Sequence, residues 1–122
     1  MEVLVEINVG REASKSGVFP EDAVDFVRQA SAYEGIRIVG LMTIPPQDPA
    51  VCVGNSQKIY NYGGYFKKVK ELSLDLLKEK IDNITMRELS MGMSEDYAAA
   101  VLCGATIIRP GRAIFGERNY AK

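Results

Sequence analysis

The stretch Arg87-Glu-Leu-Ser-Met-Gly-Met-Ser-Glu-Asp96 and the segment Ile108-Arg-Pro-Gly-Arg-Ala-Ile-Phe-Gly116 hold the residues best suited to chemistry in this sequence. Each reads as the end of a buried strand that passes through glycine and small polar residues into a helix start. Two such turns side by side aim backbone N–H groups and helix N-termini at one spot, which is how α/β folds make a place for a phosphate. Ser94, ahead of Glu95 and Asp96, is an N-cap by type, worth ~1 kcal/mol over alanine. A capped N-terminus beside Gly92 is also where an anion would sit, so the structural and functional readings of Ser94 do not compete. Met91 and Met93 are packing residues by type, and only their backbone would touch a ligand. Arg109 lies between an apolar strand and Pro110-Gly111. It is either a surface ion-pair partner or a fixed donor aimed into a site at the strand's carboxyl end. Gly111 is either plain turn chemistry or a point where backbone must approach a ligand closely.

Lys15, in Ser14-Lys15-Ser16-Gly17, lies on a polar loop at the same edge. A lysine that forms a Schiff base needs burial to lower its pKa, and a serine-flanked loop offers little of it. The chain has no histidine and two cysteines, Cys52 and Cys103, far apart in sequence. Ser/His/Asp and Cys/His nucleophile arrangements are therefore out, and so are the common zinc sites. Glu88, Glu95 and Asp96 show no paired-acid logic beyond helix capping.

These turns need a scaffold, and the residues between them supply one. With 122 residues, 47% hydrophobic and 25% charged at net charge −1, the chain has the composition of an ordinary globular domain. That length buries roughly 65% of the unfolded surface. No face or tail carries the excess of Lys and Arg that nucleic acid requires, and Lys67, Lys68 and Lys70, interleaved with Glu71, read as a solvated helix face. No apolar run approaches the ~20 residues of a membrane span, and the first residues lack the layout of a signal peptide. Cys103, in an apolar helical run, reads as a buried thiol, and the cysteine usage predicts a reducing, cytoplasmic location.

Val3–Val9 is a short β-branched strand followed by the polar loop Gly10–Gly17. Pro20-Glu21-Asp22 starts a helix, continued by Ala23, Phe26, Val27 and Ala30 to about Tyr33 and ended by Gly35. Ile36–Ile44 is a second strand, stopped by Pro45-Pro46. From about Ser56 to Lys80, Ile59, Tyr62, Phe66, Val69, Leu72 and Leu76 trace a helical stripe. Gly63-Gly64 interrupts it at ~1 kcal/mol per glycine, predicting a kink or a later start. Thr85–Ser90 is a third strand, Tyr97–Cys103 a short helix opened by Ser94-Glu95-Asp96, Thr106–Arg109 a fourth strand, and Ala113–Phe115 a last turn. The order β-α-β-α-β-α-β-(α) predicts one parallel sheet with right-handed crossovers. Asn8, Thr43 and Ser90 place small polar residues at its carboxyl edge, where α/β folds bind ligands. Four strands either form a small open sheet with helices on both faces or half of a barrel that takes eight. Composition does not choose between the two.

Four motifs carry a family resemblance. Val5-Glu6-Ile7-Asn8-Val9 with Ser14-Lys15-Ser16-Gly17-Val18, Gly40-Leu41-Met42-Thr43-Ile44-Pro45, Leu89-Ser90-Met91-Gly92-Met93-Ser94-Glu95-Asp96, and Ile114-Phe115-Gly116 with Arg118 and Tyr120 together resemble the pyridoxal phosphate homeostasis proteins. That family is also called YggS-like or proline-synthase co-transcribed, and it is similar to the N-terminal barrel domain of alanine racemase. The resemblance implies a (β/α)8 TIM barrel binding pyridoxal 5′-phosphate (PLP) at the carboxyl ends of its strands, with no established turnover and a role in vitamin B6 and amino-acid balance. Carried over, Ser94 and the backbone of Met91, Gly92 and Met93 would hold the cofactor phosphate, joined by N–H groups of Gly111 and Arg112. Arg109 would face the pyridine nitrogen, and Lys15 would lie near the phenolic oxygen or the rim.

Family members are roughly twice this length, and their Schiff-base lysine ends the first strand. The present sequence begins at what would be the fifth strand, so the resemblance implies a C-terminal half-barrel over residues 1–122 with the phosphate half of the site and not the covalent half. Arg112 stands where a small, usually hydroxyl-bearing residue is expected, so it would either crowd the phosphate or add charge to it. A half-barrel exposes an apolar sheet face, which predicts a homodimer. Three other readings stand beside this one: a compact monomer rearranged to an open flavodoxin-like sheet, a small enzyme acting on a phosphorylated substrate, and a ligand-free or engineered scaffold that only self-associates.

Overall fold

The computed structural model describes residues 1–46 and 55–116, with residues 55–63 described as backbone only. Strand β1 spans Glu2–Ile7, and a 3-10 turn over Pro20–Asp22 leads into helix α1, Ala23–Ser31. Strand β2 is Arg37–Thr43, helix α2 Asn55–Lys78, and strand β3 Ile84–Met93. Helix α3 is Tyr97–Leu102, strand β4 Ile107–Arg109, and helix α4 Gly111–Phe115. The four strands form one parallel sheet in the order β1-β2-β3-β4.

That order never reverses. Right-handed crossovers that all step the same way set their helices on the same face of the sheet. An open sheet covered on both faces needs a reversal of strand order instead. One core cluster follows: Val5 and Ile7 of β1, Ile38 and Leu41 of β2, and Leu89 and Met91 of β3 pack against Ala23 and Val27 of α1, Phe66, Val69 and Leu76 of α2, and Ala99 and Ala100 of α3. Leu4 and Glu6 alternate with Val5 and Ile7 along β1 and are only half-buried.

Several boundaries differ from the sequence expectation by one or two residues, and three differences bear on the packing or on the carboxyl edge. Helix α2 runs unbroken through Gly63-Gly64. Two glycines cost ~2 kcal/mol, whereas burying Phe66, Val69 and Leu76 against the sheet returns ~1.5–3 kcal/mol each. Ile59 and Tyr62 of the proposed stripe, like Cys52, Arg118 and Tyr120, have side chains outside the described residues. Strand β3 continues three residues past Ser90, so Met91 and Gly92 belong to the strand and not to the turn. Helix α4 begins at Gly111, two residues early.

Gly40 and Gly92 are glycine for packing reasons. A Cβ on Gly40 would lie 1.8 Å from the Glu88 carbonyl oxygen, where β2 and β3 slip register. Gly92 has φ +105°, and a Cβ there would meet Ala100 and the Tyr97 backbone at 2.8 and 3.0 Å. Helix α3 thus sits directly on the end of β3. Cys103 is half-buried rather than fully buried, and that burial pushes its thiol above the ordinary value while Lys67 partly opposes the rise.

Candidate functional site at the carboxyl edge of the sheet

Each strand delivers one polar group to the carboxyl edge. After β1, buried Asn8 organises the loop that follows: its Nδ2 donates to the Glu12 carbonyl (2.7 Å) and its Oδ1 accepts the Glu12 N–H (3.1 Å). That loop carries Lys15, whose Nζ lies 3.2 Å from Glu12 Oε1 and donates to the Pro45 carbonyl at 3.4 Å. Glu12 Oε1 is buried without a well-aligned donor, so the lysine serves it as a counter-charge. Lys15 is accordingly tied down over the ends of β1 and β2, and it makes no contact with the Ser94 region.

At the end of β2, buried Thr43 donates its hydroxyl to the Ile7 carbonyl (2.7 Å). The Thr43 carbonyl in turn accepts a hydrogen bond from Arg109 Nη2 at 3.1 Å. Arg109 thus leaves β4, crosses the end of β3 and anchors on β2. Its Nε is buried and has no partner among the described residues. A buried, unpaired N–H on a cation costs more than an ordinary unmade hydrogen bond. Among the described residues Arg109 makes this backbone hydrogen bond and no salt bridge.

The turn after β3 is built differently from the sequence expectation. Ser94 does not cap α3. Asp96 takes the N-cap position, and its Oδ1 accepts the N–H of Met93 at 2.7 Å instead of capping its own helix. The Ser94 hydroxyl reaches to the neighbouring helix and accepts the Ala113 N–H of α4 at 3.0 Å. Because Oγ accepts there, its own proton remains available to an anion. Arg112, half-exposed, pairs with Glu95 of the β3–α3 turn (Nη2–Oε1 2.6 Å), which holds its guanidinium against a carboxylate. These two contacts fasten the β3–α3 turn to the first turn of α4.

The site's electrostatics centre on Asp96. Its carboxyl is pushed above the usual value chiefly by burial, against the Met93 hydrogen bond and the nearby Arg109, which both pull it down, while Glu95 adds to the rise. Met91 is fully buried in the core and offers no side chain to a ligand. A Cβ on Gly111 would meet nothing within 4 Å, so this backbone is open to approach. The N–H groups of Gly111 and Arg112 belong to a first helical turn, which has no acceptor within its own helix.

The structure therefore brings Ser94, Arg112 and Ala113 together, places Gly111 beside them, and swings Arg109 towards β2. Lys15 stands apart. Sequence reasoning missed Glu95 as the partner of Arg112 and Asp96 as the acceptor for Met93. An acid three residues after Met93 was a usable signal for the second; nothing in the spacing marks the first.

Ser94 with a free hydroxyl proton, the open backbone of Gly111 and an Arg109 N–H without a partner among the described residues are donors at the carboxyl edge, of the kind an anion takes. The sequence profile described as "Alanine racemase, N-terminal domain" matches residues 1–119. A pyridoxal phosphate homeostasis protein of Aquifex aeolicus is 40% identical over 119 residues, covering 98% of this chain and 48% of that protein. The protein of the same name from Haemophilus influenzae is 37% identical over 122 residues, 99% of this chain and 47% of the relative. The chain thus spans about half the length of the curated relatives it matches. The structure of PipY from Synechococcus elongatus with PLP bound superposes at a TM-score of 0.72 with 28% identity, over 94% of this chain and 49% of PipY. Sequence profile, relatives and fold agree: the chain belongs to the alanine racemase N-terminal domain family.

Proposed function

We propose that this chain is the phosphate-holding, carboxyl half of a PLP-binding barrel of the homeostasis type, which holds and releases the cofactor without turning over a substrate. The observation that carries the reading is Arg109: a cation held across the sheet edge by Thr43, with a buried Nε that no residue described here satisfies. PLP would supply an anchoring phosphate, a ring nitrogen and an aldehyde that condenses with amines. Ser94 would donate its free hydroxyl proton to a phosphate oxygen while its lone pair keeps Ala113 in place. The N–H groups of Gly111 and Arg112 would add two further donors, and Arg109 would face the ring. Met91 and Gly92 would contribute through backbone alone.

No lysine ends any of the four strands, and Lys15 is engaged by Glu12 and Pro45. Binding here would accordingly be weak and non-covalent, with the rest of the pocket supplied by a second half. The sequential strand order and one-sided helices support a half-barrel of residues 1–122, completed by self-association. A ligand-free scaffold reading predicts no response to phosphate at all.

Titration with PLP, followed by absorbance with and without borohydride, tests the proposal together with a phosphate-dependent thermal scan. The expected result is thermal stabilisation by phosphate and PLP with little Schiff-base absorbance. A ligand at a hundredfold excess over its Kd adds about 2.7 kcal/mol. A robust 1:1 adduct reducible at one lysine would refute the non-covalent reading, and the absence of any thermal shift would refute the phosphate site.

A further inference from the structure

Four charged side chains meet around the turn that leaves β3, and they come from three elements. Glu95 and Asp96 are consecutive in the turn itself, Arg109 ends β4, and Arg112 lies in the first turn of α4. Arg112 and Glu95 pair with each other (Nη2–Oε1 2.6 Å) and cancel. Asp96 and Arg109 are the second pair of opposite charges, and among the described residues they form no salt bridge. Arg109 Nη2 is committed to the Thr43 carbonyl, and Asp96 Oδ1 to the Met93 N–H at 2.7 Å. Asp96 feels the arginine through its field alone.

The charge of this corner therefore turns on one proton. With Asp96 ionised, the two arginines face two carboxylates and the sum is zero. With Asp96 neutral they face one, and a single positive charge is left over. Protonation leaves the turn in place, because the carbonyl oxygen of a neutral carboxyl still accepts the Met93 N–H. Asp96 also stands close to the donors: it follows by two residues Ser94, whose hydroxyl oxygen holds the Ala113 N–H and whose proton is free. A carboxylate in that half-buried position repels an incoming anion more strongly than it would in open water.

Resting on the phosphate site proposed above, we propose that Asp96 is the proton switch of that site: the neutral carboxyl admits a doubly charged anion such as a phosphate monoester, and the carboxylate expels it. Binding then draws a proton from solvent onto Asp96, and release of the ligand returns it. The surroundings of Asp96 suit this part. Half-burial favours its neutral form and Glu95 adds to that, while the Met93 N–H and Arg109 oppose it. From α3 the phenol of Tyr97 follows it directly, and from α4 Arg112 is matched by Glu95. Of the lysines of α2, Lys67 and Lys70 lie at the far end of α3, against Cys103 and Gly104. Arg109 and Glu95 are thus the charges that act on it among the described residues.

Sulfate is the probe, because it stays a dianion where a phosphate ester takes up a proton of its own, at about pH 6. The carboxyl carbon-13 resonance of Asp96 is followed by NMR against pH, in sulfate and in sodium chloride of equal ionic strength. The backbone amides of Ser94 and Ala113 report binding. The Asp96 midpoint is expected to rise in sulfate by about one pH unit, the reciprocal of an affinity that falls about tenfold as Asp96 ionises. Asp96→Asn keeps an acceptor for the Met93 N–H and is expected to bind sulfate equally well at every pH, with the affinity of the neutral form. An Asp96 midpoint unmoved by bound sulfate overturns the switch and leaves the anion site standing. A pH dependence that persists in Asp96→Asn, or that follows the Glu95 resonance instead, does the same. Amides indifferent to sulfate at every pH overturn the switch and the anion site together. The intact chain decides the matter even where Asp96→Asn fails to fold.

Discussion

Replacing Ser94 by alanine removes one atom with two jobs, and the structure separates them. The hydroxyl oxygen accepts the Ala113 N–H at 3.0 Å in an exposed setting. A neutral hydrogen bond of that kind contributes about 1 kcal/mol net. With an unfolding entropy of about 2.1 cal/mol/K per residue, the 122 residues convert 1 kcal/mol into a fall of about 4 °C in Tm. The hydroxyl proton is the second job. A hydrogen bond to a charged oxygen contributes about 1.5–3 kcal/mol, so Ser94→Ala should also weaken phosphate or PLP binding by about 10- to 150-fold. Ala113→Pro divides the two effects. It deletes the N–H at the third residue of α4 and leaves the Ser94 hydroxyl in place. Thermal scans with and without phosphate on both variants and their double should show three things: both single variants lose stability, the double loses no more than one of them, and only variants carrying Ser94→Ala lose the phosphate shift. Additive stability losses would mean that Ser94 and Ala113 do not share a bond. A normal phosphate response in Ser94→Ala would remove the serine from the site.

Other expectations follow from the same edge. For Asp96, a folded pKa above the unfolded one means the native state binds the proton more tightly, so its contribution to stability is full below the unfolded value of about 3.8 and is lost as pH rises through the raised folded value. Asp96→Asn, which keeps an acceptor for the Met93 N–H, should therefore raise Tm at pH 7, with the gain vanishing as urea or thermal unfolding is repeated towards pH 4; a loss at pH 7 would show that attraction to Arg109 outweighs burial. Arg112→Ala breaks a half-exposed ion pair with Glu95 and should cost at most about 1 kcal/mol in urea denaturation. Leu89→Ala, at a fully enclosed position of β3, should cost about 2–5 kcal/mol by the same measurement.

Much of the scaffold was legible in the sequence because periodicity and punctuation agree there. Pro20 with Glu21 and Asp22, the β-branched runs of β1 and β2, and the stripe Phe66, Val69, Leu72, Leu76 each point one way, and helix and strand formed where they point. The errors lie where tertiary contact overrides local preference. Gly63-Gly64 lost to the packing of α2 on the sheet. Gly92 signals a turn by type, but the close seat of Ala100 and Tyr97 holds it inside β3. Ser94 is an N-cap by every local rule, and only the position of α4, set by a different strand, shows that its oxygen serves Ala113 instead. For the same reason the wiring of the residues at this edge was not readable from the sequence. Arg109 on Thr43 and Arg112 on Glu95 join positions 66 and 17 residues apart.

The wiring bears on how this edge of the sheet holds its shape. Its polar groups are fixed by contacts internal to the chain: Asp96 folds the β3–α3 turn onto Met93, Ser94 ties that turn to α4, and Thr43 holds the arginine. None of these bonds needs a residue from beyond this sheet. The unmet demands are of another kind: the buried Nε of Arg109, the apolar groove on β1 and the bare side chains of α3 and α4. A preorganised donor set costs a ligand little reorganisation, so the proposed phosphate response should survive any substitution that disrupts the proposed self-association but spares these bonds. The ring contacts of Arg109 should not. On the proposed reading its Nε is satisfied when a ligand fills the space over β2 and β3, and closing that space takes a second half. In an edge-disrupted variant such as Phe115→Asp, inorganic phosphate should therefore stabilise the chain nearly as before, while the advantage of PLP over phosphate shrinks. Equal loss of both responses would show that the cradle itself depends on the partner.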